Sequence, residues 1–482
     1  MREQASDGVG PRAADPPAVS MRSCRRRARS AVACTLVFVS GCVSYSPAPI
    51  EPFRELAQLE ARASESQGLD VVPPGRAEWF PLRANVDLAD GLDLGEANAL
   101  ALFHAPDIRA ARSVERVSAA QLLQAGLLSN PELFFGPRVS TASGEWISPA
   151  GLSWELPLWG KRVAAQELAD RRLSAARVRA LDVELRVLTD VRSAFVRIAR
   201  LTKSLEVIEA QSVASERVLA WVATLQHAGE VDAVTGYLAR LEHDEARASL
   251  ASTRHELAST TRGLLETVGI LPGGELSLRL DPDPRLLPEL PALDRTRLFV
   301  HPAMEAALAE YEAAEAALRL EVAEQYPAIR VGPELEDDRG DATLGIGVGI
   351  ELPLFDRNRG GIIEAEELRD ASRERYRTLL LRATHAEAQA RAEWTVAERT
   401  LGDWRSGALA SAERVRESLE VRFQSGESNV LEVLAALRAL TTARLRELEL
   451  ESQSAVARFR AAVAGGAALG EPSLEDSATE TR

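Results

Sequence analysis

The chain has 482 residues, of which 46% are hydrophobic and 27% are charged, and its 57 basic and 72 acidic side chains give a formal net charge of −15. This mixture excludes wholesale disorder, and the acidic balance argues against a nucleic-acid partner, which would need a basic surface. Aromatic residues account for only 5% of the chain and Met for three residues. A composition dominated by Ala, Leu, Arg and Glu favours long helices over compact mixed domains.

The N-terminal region has the pattern of an export signal. Four Arg between residues 25 and 29 precede a short apolar run from Ala31 to Val39. This run is too short for a membrane-spanning helix of about 20 residues. Ser40-Gly41-Cys42 follows, and small residues before a cysteine resemble the lipobox of bacterial lipoproteins. We therefore expect cleavage before Cys42 and lipidation of its thiol; the alternative is an ordinary secretory signal or a start-proximal anchor with an incidental cysteine.

The predicted processing changes the charge and the thiol content of the chain. Residues 1–41 form the expected signal peptide, within which residues 1–20 read as an upstream extension, so that either Met1 or Met21 is the start. Removing seven Arg and three acidic residues takes the formal charge from −15 to −19. Cys42 becomes the only thiol, which excludes a disulfide framework and a cysteine-based metal site. Residues 42–87 then form a lipidated N-terminal tether, of which Tyr45–Pro52 reads as extended.

An internal two-fold repeat is the strongest feature of the sequence. The stretch Glu155–Trp159 matches Glu351–Phe355, and four prolines recur after 196 residues. A fixed offset shared by several prolines indicates a duplicated structural unit. The predicted organisation is a first repeat at 88–270, a connector at 271–301, a second repeat at 302–465 and a disordered tail at 466–482. The proline pairs are Pro106 and Pro302, Pro131 and Pro327, Pro137 and Pro333, and Pro157 and Pro353.

Each repeat contains a segment of period two between its prolines, which predicts one β-hairpin per repeat. Apolar residues alternate with small or polar ones over 343–352, and the parity is the same over 151–156. The preceding segments 133–139 and 329–335 alternate in the same way. One strand face is thus predicted to be apolar and the other small or polar. The charged residues predicted on the second face are Arg138, Glu155, Arg330, Glu334 and Glu351.

After each hairpin the periodicity becomes helical for an unusual length. No proline intervenes from Lys161 to His227, and 67 residues of helix would extend for roughly 100 Å. A second long helix is predicted from Gly361 to Gln424, and Gly229 and Gly426 mark turns from which helices of 35–40 residues return. Shorter helices are predicted from Asp93 to Ser129 and from Pro302 to Gln325. Helices of this length pack side by side or as coiled coils.

The predicted strand number implies assembly. Two hairpins give four strands, whereas the smallest closed membrane barrels need about eight. Open strand edges cannot lie in lipid, so several chains would have to contribute to one barrel, whose polar face would line a pore. Trp146, Trp154 and Trp159 would then fall at an interfacial belt with Phe355. The alternative is a soluble hairpin whose apolar face packs against the helices.

These features together resemble the TolC-type outer-membrane efflux proteins, and the similarity covers about residues 88–465. It rests on the lipobox, the duplicated unit, Asn130-Pro131 before a strand, the stretch Leu352–Gly360, and Gly-Glu followed by Glu-Val-Leu at 426–434. The resemblance implies a mainly α fold with a small β part. Three chains would form one 12-stranded transmembrane β-barrel in the outer membrane, continuous with a long α-helical barrel across the periplasm.

The resemblance also implies partners and functional residues. A periplasmic adaptor (membrane fusion) protein and an inner-membrane pump of RND type would dock at the helical tips, through Gly229, Glu230, Gly426 and Glu427. Glu432 matches a position whose carboxylate narrows the periplasmic aperture and attracts cations, although Ala435 stands where a second acid is common. Asp356–Gly360 looks like the version found in cation-efflux channels.

No enzyme or cofactor signature is present in the sequence. The six His have no metal-ligand spacing, and the glycines of 345–349 have strand alternation and not that of a phosphate loop. The predicted function is therefore a passive outer-membrane exit duct for small molecules or metal cations. Two alternatives stay open: a duct for type I protein secretion, and a periplasmic coiled-coil adaptor or scaffold without a barrel.

Overall fold

The computed structural model describes residues 45–65, 86–87, 91–136, 138–139, 146–147, 149–271, 295–338, 341–424 and 429–466. These residues fall into two compact units that divide after Ala57. The predicted signal peptide, the lipobox with Cys42, most of the connector and almost all of the tail lie outside the described residues. In the first unit, residues 45–51 are non-helical.

Helix α1, Pro52–Glu65, lies within the predicted tether and was not predicted from the sequence, which indicated an extended conformation for 45–52 only. Its local signals are a proline at the first helical residue and Phe53, Leu56 and Leu59 at a spacing of three residues, which form one apolar stripe. Near its end, in the second unit, Arg62 donates from Nη1 to the carbonyl oxygen of Gly269 at 2.9 Å.

Most of the described residues of the second unit are helical. A six-residue 3₁₀ turn at Arg295–Val300 precedes the second half, and a π turn at Arg405–Leu409 interrupts its longest helical run. None of the described helices has an apolar stretch long enough to cross a bilayer. The helices are α2 (Leu94–His104), α3 (Pro106–Gly126), α4 (Lys161–His227), α5 (Ala233–Val268), α6 (Pro302–Glu324), α7 (Arg359–Trp404), α8 (Ala410–Gln424) and α9 (Val430–Ala464).

The predicted helix from Asp93 to Ser129 begins as expected but is broken in two. Asp93 accepts the Glu96 backbone N–H at 2.7 Å, and the Glu96 carboxylate accepts the Asp93 N–H at 2.9 Å, which closes a capping box. The prediction of one continuous helix is wrong, because Pro106 lacks an N–H and disfavours helical backbone at Ala105. Ala105 has φ −54° and ψ 126°, and α3 restarts at the proline.

The long helices follow the sequence periodicity closely. Helix α4 has 67 residues with the predicted bounds, and the return helices α5 and α9 have 36 and 35 residues. The second predicted helix, Gly361–Gln424, is a helical run over 359–424, but its continuity is broken by the π turn. Helix α3 packs on α4 through Arg112, whose Nε and Nη2 lie 3.1 and 2.9 Å from Glu184 Oε1.

The strands form a four-stranded antiparallel sheet in the order β1 (Glu132–Phe135), β4 (Ala150–Leu156), β5 (Ile329–Asp338) and β6 (Asp341–Ile350). Strands β2 (Arg138–Val139) and β3 (Trp146–Ile147) pair separately in a two-stranded ladder. Both predicted hairpins are therefore present, as β1 with β4 and β5 with β6. The β4–β5 pair joins them side by side, with Glu155 opposite Arg330.

Two apolar clusters hold the helices together. The larger packs α2 against the middle of α4 and the end of α5, and it includes Leu100, Val191 and Leu264, each at most 1% exposed. The smaller lies near the C-terminal end of α4. There Val222 of α4 and Ala239 of α5 pack against α9, through Val430 and Leu434. The second cluster ties the α4–α5 hairpin to the start of α9.

Candidate functional site

The register of the sheet collects the predicted charged residues on one face. Directly opposed residues of an antiparallel pair share a face, so Glu155 and Arg330 lie side by side across β4 and β5. Glu334 is opposed by glycine on both sides, Gly151 on β4 and Gly345 on β6. Its Oε2 lies 3.3 Å from where a Cβ of Gly347 would be. The face is therefore a line of small residues with charged side chains lying over it.

The remaining two predicted residues of this face have different surroundings. Glu351 follows β6, has the same parity as Gly349, and donates its backbone N–H to the Ala328 carbonyl oxygen at 3.1 Å. Arg138 belongs to β2, opposite Ile147 in the separate ladder, and its side chain lies outside the described part. Glu155, Arg330, Glu334 and Glu351 thus share a face by strand parity, whereas Arg138 is not brought into the four-stranded sheet.

The opposite face of the sheet is apolar and exposed. Cross-strand pairs such as Leu133 with Leu152 and Leu335 with Leu344 continue the apolar character across all four strands. Leu344 and Ile346 are 74% and 77% exposed. Among the described residues no helix covers this face, so the soluble hairpin packed on helices is not what the structure has. An apolar patch of this kind marks contact with a membrane or with another protein.

Aromatic side chains cluster where the strands meet the long helices. Trp159 donates from Nε1 to the Pro327 carbonyl oxygen at 3.2 Å and stacks on Tyr326 with ring centroids 5.4 Å apart. Phe355 is fully exposed. Trp154 donates from Nε1 to the Ser129 carbonyl oxygen at 3.0 Å. The side chain of Trp146 lies outside the described part, so the predicted belt is described for three of its four members.

The stretch Asp356–Gly360 forms the junction between β6 and α7. Asn358 has φ +55°, and its Nδ2 donates to the Glu321 backbone oxygen at 2.9 Å and to Glu321 Oε2 at 2.7 Å. Asp356 Oδ1 accepts the Asn358 N–H at 2.8 Å. A left-handed residue suits Asn, whose side chain also ties the junction to the end of α6. In the structure, this stretch therefore connects β6 to α7 and fastens the connection to α6.

The tip of the first helical hairpin is described in full. Helix α4 ends at His227, and Gly229 has φ +75°, a left-handed conformation that favours glycine. Glu230 is exposed, and Asp232 caps α5 by accepting the Thr235 N–H at 2.9 Å. Hydrogen bonds from the side chain and backbone of Thr235 lower the pKa of the Asp232 carboxyl group. Gly426 and Glu427 of the second tip lie outside the described residues.

Glu432 lies in the first turn of α9, after the N-cap Asn429, and its side chain is 48% exposed. Its Oε2 lies 3.7 Å from Nη2 of Arg422 on α8. The sequence analysis did not identify this arginine, although Arg422 lies two residues before the end of α8 and Glu432 two residues after the start of α9. Glu432 is thus the acidic partner in an exposed ion pair that bridges the two arms of the hairpin.

A second missed residue links the two hairpins. Arg438 on α9 places Nη2 at 2.5 Å from Glu242 Oε2 and at 2.7 Å from Glu245 Oε2, both on α5. The Glu242 side chain is only 5% exposed, and its other oxygen accepts from Gln211 Nε2 at 3.2 Å. This ion pair gives the buried carboxylate a cationic partner and links the two hairpins a short distance from the tips. Among the described residues, no group of three or more His, Cys, Asp or Glu could hold a metal ion.

Comparisons with known proteins agree with this arrangement. The family model for outer membrane efflux proteins matches residues 99–269 and 298–465. The cobalt-zinc-cadmium resistance protein CzcC of Cupriavidus metallidurans is 28% identical over 411 residues, which cover 82% of this chain and 92% of that protein. The pyoverdine export outer membrane protein OpmQ of Pseudomonas aeruginosa is 26% identical over 343 residues, which cover 67% of this chain and 69% of that protein.

Solved structures share the fold. The open state of the MtrE outer membrane channel of Neisseria gonorrhoeae has a TM-score of 0.67 and 18% identity, and the match covers 89% of this chain and 99% of that chain. Its sequence identity is too low to carry more than the fold.

Proposed function

Because the chain belongs to the outer membrane efflux protein family, whose members are transport channels and not enzymes, we propose that it is the outer-membrane exit duct of a tripartite efflux system. The observation that carries this proposal is the two-sided sheet. One face is apolar and exposed across four strands, and the other has glycines and charged residues. Strands with apolar side chains on the outer face and small or polar side chains on the inner face are typical of a membrane pore.

Three copies of the chain would form the duct. Four strands with open edges at β1 and β6 cannot close around a pore, and three copies supply twelve strands, which is enough for a closed barrel. The helices α4 and α7–α8 would continue this barrel as a tunnel through the periplasm. The two segments that match the family model support the proposed repeats at 88–270 and 302–465.

The ends of the duct would have separate partners. The lipidated Cys42 would anchor the chain at the outer membrane, and the hairpin tips at Gly229, Glu230, Gly426 and Glu427 would contact a periplasmic adaptor and, through it, an RND-type inner-membrane pump. Glu432 would contribute one carboxylate per chain to the aperture, where three copies around a narrow axis favour cations. Glu155, Arg330, Glu334, Glu351 and Arg138 would line the barrel.

We propose metal cations as the first substrate class to test, because the chain spans most of CzcC, which is described as a cobalt-zinc-cadmium resistance protein. Export of a pyoverdine-type compound is the second candidate, since OpmQ is described as a pyoverdine export outer membrane protein. A duct for a secreted polypeptide has the same fold and differs in its pump. The exposed apolar face of the sheet argues against the alternative of a soluble adaptor or scaffold.

The proposal is tested by membrane fractionation followed by single-channel recording. We expect a heat-labile trimer in the outer-membrane fraction and stepwise conductance in planar bilayers, with cations more permeant than anions. Glu432→Gln should lower the cation preference, and Glu230→Gln, which removes an exposed carboxylate from the other tip, is the matched control. A soluble monomer without conductance would overturn the duct. Cys42→Ala should lose acyl label, and retained label would overturn the anchor.

Substrate class requires a test in the cell of origin. Deleting the gene and scoring growth separately with cobalt, zinc and cadmium ions, with drugs and with detergents distinguishes the candidates. Sensitivity confined to the metals is expected from the proposal. Sensitivity confined to drugs or detergents would reassign the substrate while leaving the channel intact.

A further inference from the structure

The two halves of the chain join their last strand to their long helix in the same way. Each junction has a Leu-Pro-Leu stretch, at Leu156–Leu158 and at Leu352–Leu354, in which the N–H of the second leucine donates to the carbonyl oxygen of the first at 2.8 Å. An aromatic residue follows directly, Trp159 in one junction and Phe355 in the other, and a long helix begins a few residues later. Because the junctions share this geometry, a difference between their side chains points to a difference in role.

Basic side chains end both junctions, and in the first junction they are bound within the protein. Lys161 Nζ lies 3.3 Å from Glu324 Oε2 at the end of α6, and the Lys161 side chain is only 19% exposed. Arg162 is half-buried and donates from Nη2 to the carbonyl oxygen of Gly126, the last residue of α3, at 2.7 Å. Both cations therefore fasten the start of α4 to neighbouring helices.

The cations of the second junction, Arg357 and Arg359, are exposed, and neither has an ion pair among the residues that the structure describes. Arg357 donates from Nε to the Pro353 carbonyl oxygen at 3.3 Å, which holds its side chain beside the preceding loop. The neighbouring carboxylate of Asp356 accepts the Asn358 N–H. Arg359 is the first residue of α7, where the helix dipole disfavours a positive charge, and the first turn has no acidic residue to offset it. Neither charge is therefore explained by the fold.

The two arginines follow the end of the apolar face of the sheet. Leu352 and Leu354 carry the apolar alternation of β6 past Ile350, and their side chains are 67% and 68% exposed. The fully exposed Phe355 comes two residues before Arg357. In the proposed duct, α7 leads from this point into the periplasm, so the junction lies at the inner leaflet of the outer membrane. Exposed aromatic and basic side chains at the edge of an apolar band are typical of a membrane interface.

We propose that Arg357 and Arg359 bind the phosphate group of an anionic phospholipid of the inner leaflet, whose acyl chains lie against the stretch Leu352–Phe355. Arginine presents its N–H donors in a planar fork that fits phosphate oxygens, and neither side chain has to give up an ion pair to bind. Two unpaired cations favour a lipid with a net negative charge over a zwitterionic one. Each chain provides one such site. This inference rests on the proposed outer-membrane channel, which places the junction at the leaflet.

Native mass spectrometry of the full-length protein tests this site. The protein is released from detergent micelles that contain added phosphatidylglycerol or phosphatidylcholine, and the spectra give the number of bound lipids and their dissociation constants. The wild-type protein should bind phosphatidylglycerol more tightly than phosphatidylcholine. Arg357→Gln with Arg359→Gln should weaken phosphatidylglycerol binding about 30-fold, which corresponds to about 2 kcal/mol for two cations beside an anionic lipid. Binding of phosphatidylcholine should change less, because its headgroup has no net charge.

Two further variants separate the site from general effects of charge. Arg375→Gln with Arg382→Gln removes the same two charges from exposed positions on α7, about 24 Å or more beyond Arg359 along the helix, and should bind as the wild type does. Arg357→Lys with Arg359→Lys keeps the charge without the fork and should retain part of the preference. Inorganic phosphate in large excess should lower lipid occupancy only slightly, because the acyl chains also hold the lipid.

The outcomes distinguish the lipid site from the channel. Equal phosphatidylglycerol binding by the two glutamine double variants, or equal binding of both lipids by the wild type, would overturn the site and leave the duct standing. Complete displacement of the lipid by phosphate would reassign the arginines to a free anion. The same spectra report the assembly: if the double variant at Arg357 and Arg359 does not form trimers, each single variant should show about a fivefold loss. A wild-type protein found only as a monomer would overturn the duct, and the lipid site with it.

Discussion

Gly332→Ala should disrupt the seam between the two hairpins. Gly332 lies on β5, and a Cβ at this position would be 1.7 Å from the Leu152 carbonyl oxygen and 2.6 Å from the Leu152 carbonyl carbon of β4. Ordinary contact between such atoms needs about 3.5 Å, so the two backbones must separate by nearly 2 Å. Overpacking costs roughly 1–3 kcal/mol and each lost ladder hydrogen bond about 1 kcal/mol, which together make about 3 kcal/mol.

Two glycines on β6 provide matched controls. Gly345 and Gly349 share the polar face with Gly332, yet no heavy atom lies within 4 Å of their Cβ positions. Alanine at either position should stabilise the sheet by about 0.4–1 kcal/mol, because it restricts the unfolded chain without a clash. The same substitution on the same face is thus expected to destabilise the sheet at Gly332 and to stabilise it at Gly345 and Gly349.

Amide hydrogen exchange of the purified protein, read on peptides that cover β5, measures the difference. Gly332→Ala should accelerate exchange by about 100-fold, which corresponds to about 3 kcal/mol, whereas Gly345→Ala and Gly349→Ala should slow it slightly. If all three variants exchange at the same rate, the close approach of β4 and β5 is not a constraint and the reasoning is wrong.

The other predictions concern the helical part. Arg112→Ala should destabilise α3 by roughly 3 kcal/mol in thermal unfolding, because it removes the guanidinium beside the buried carboxylate of Glu184, while Arg177→Ala, an exposed ion pair between the same two helices, should cost less than about 1 kcal/mol. Asn358→Ala should cost roughly 1–2 kcal/mol, since it loses a left-handed residue and two hydrogen bonds, and an unchanged melting temperature would contradict this. His301 caps α6 as a neutral acceptor, and burial lowers its pKa, partly offset by Asp182. Because the pKa of His301 is lower in the folded state, its contribution to the free energy of unfolding is complete above the unfolded pKa of about 6.5. This contribution is lost as the pH falls through the folded-state pKa. His301→Asn should remove this pH dependence from unfolding curves.

The sequence alone predicted those features that depend on local periodicity. A 3.6-residue period with no interrupting proline fixed α4 at Lys161–His227, and a two-residue period assigned each strand residue to a face before any pairing was known. Glu155, Arg330 and Glu334 were placed on one face for this reason. Three local features were not predicted: helix α1, the break at Pro106 and the π turn. At α1 the apolar stripe is short, and at Pro106 a single residue ends one helix and begins the next.

Contacts between distant segments were decided only by the tertiary structure. The pairing of Glu155 with Arg330, and of Arg422 with Glu432, depends on which strands and helices lie together, and parity carries no information on that choice. The sequence pattern treats Gly332 and Gly345 alike, as small residues on the polar face. Only the approach of Leu152 to Gly332 distinguishes a glycine required by backbone contact from one that leaves open space, because that distance is set by how two strands twist against each other.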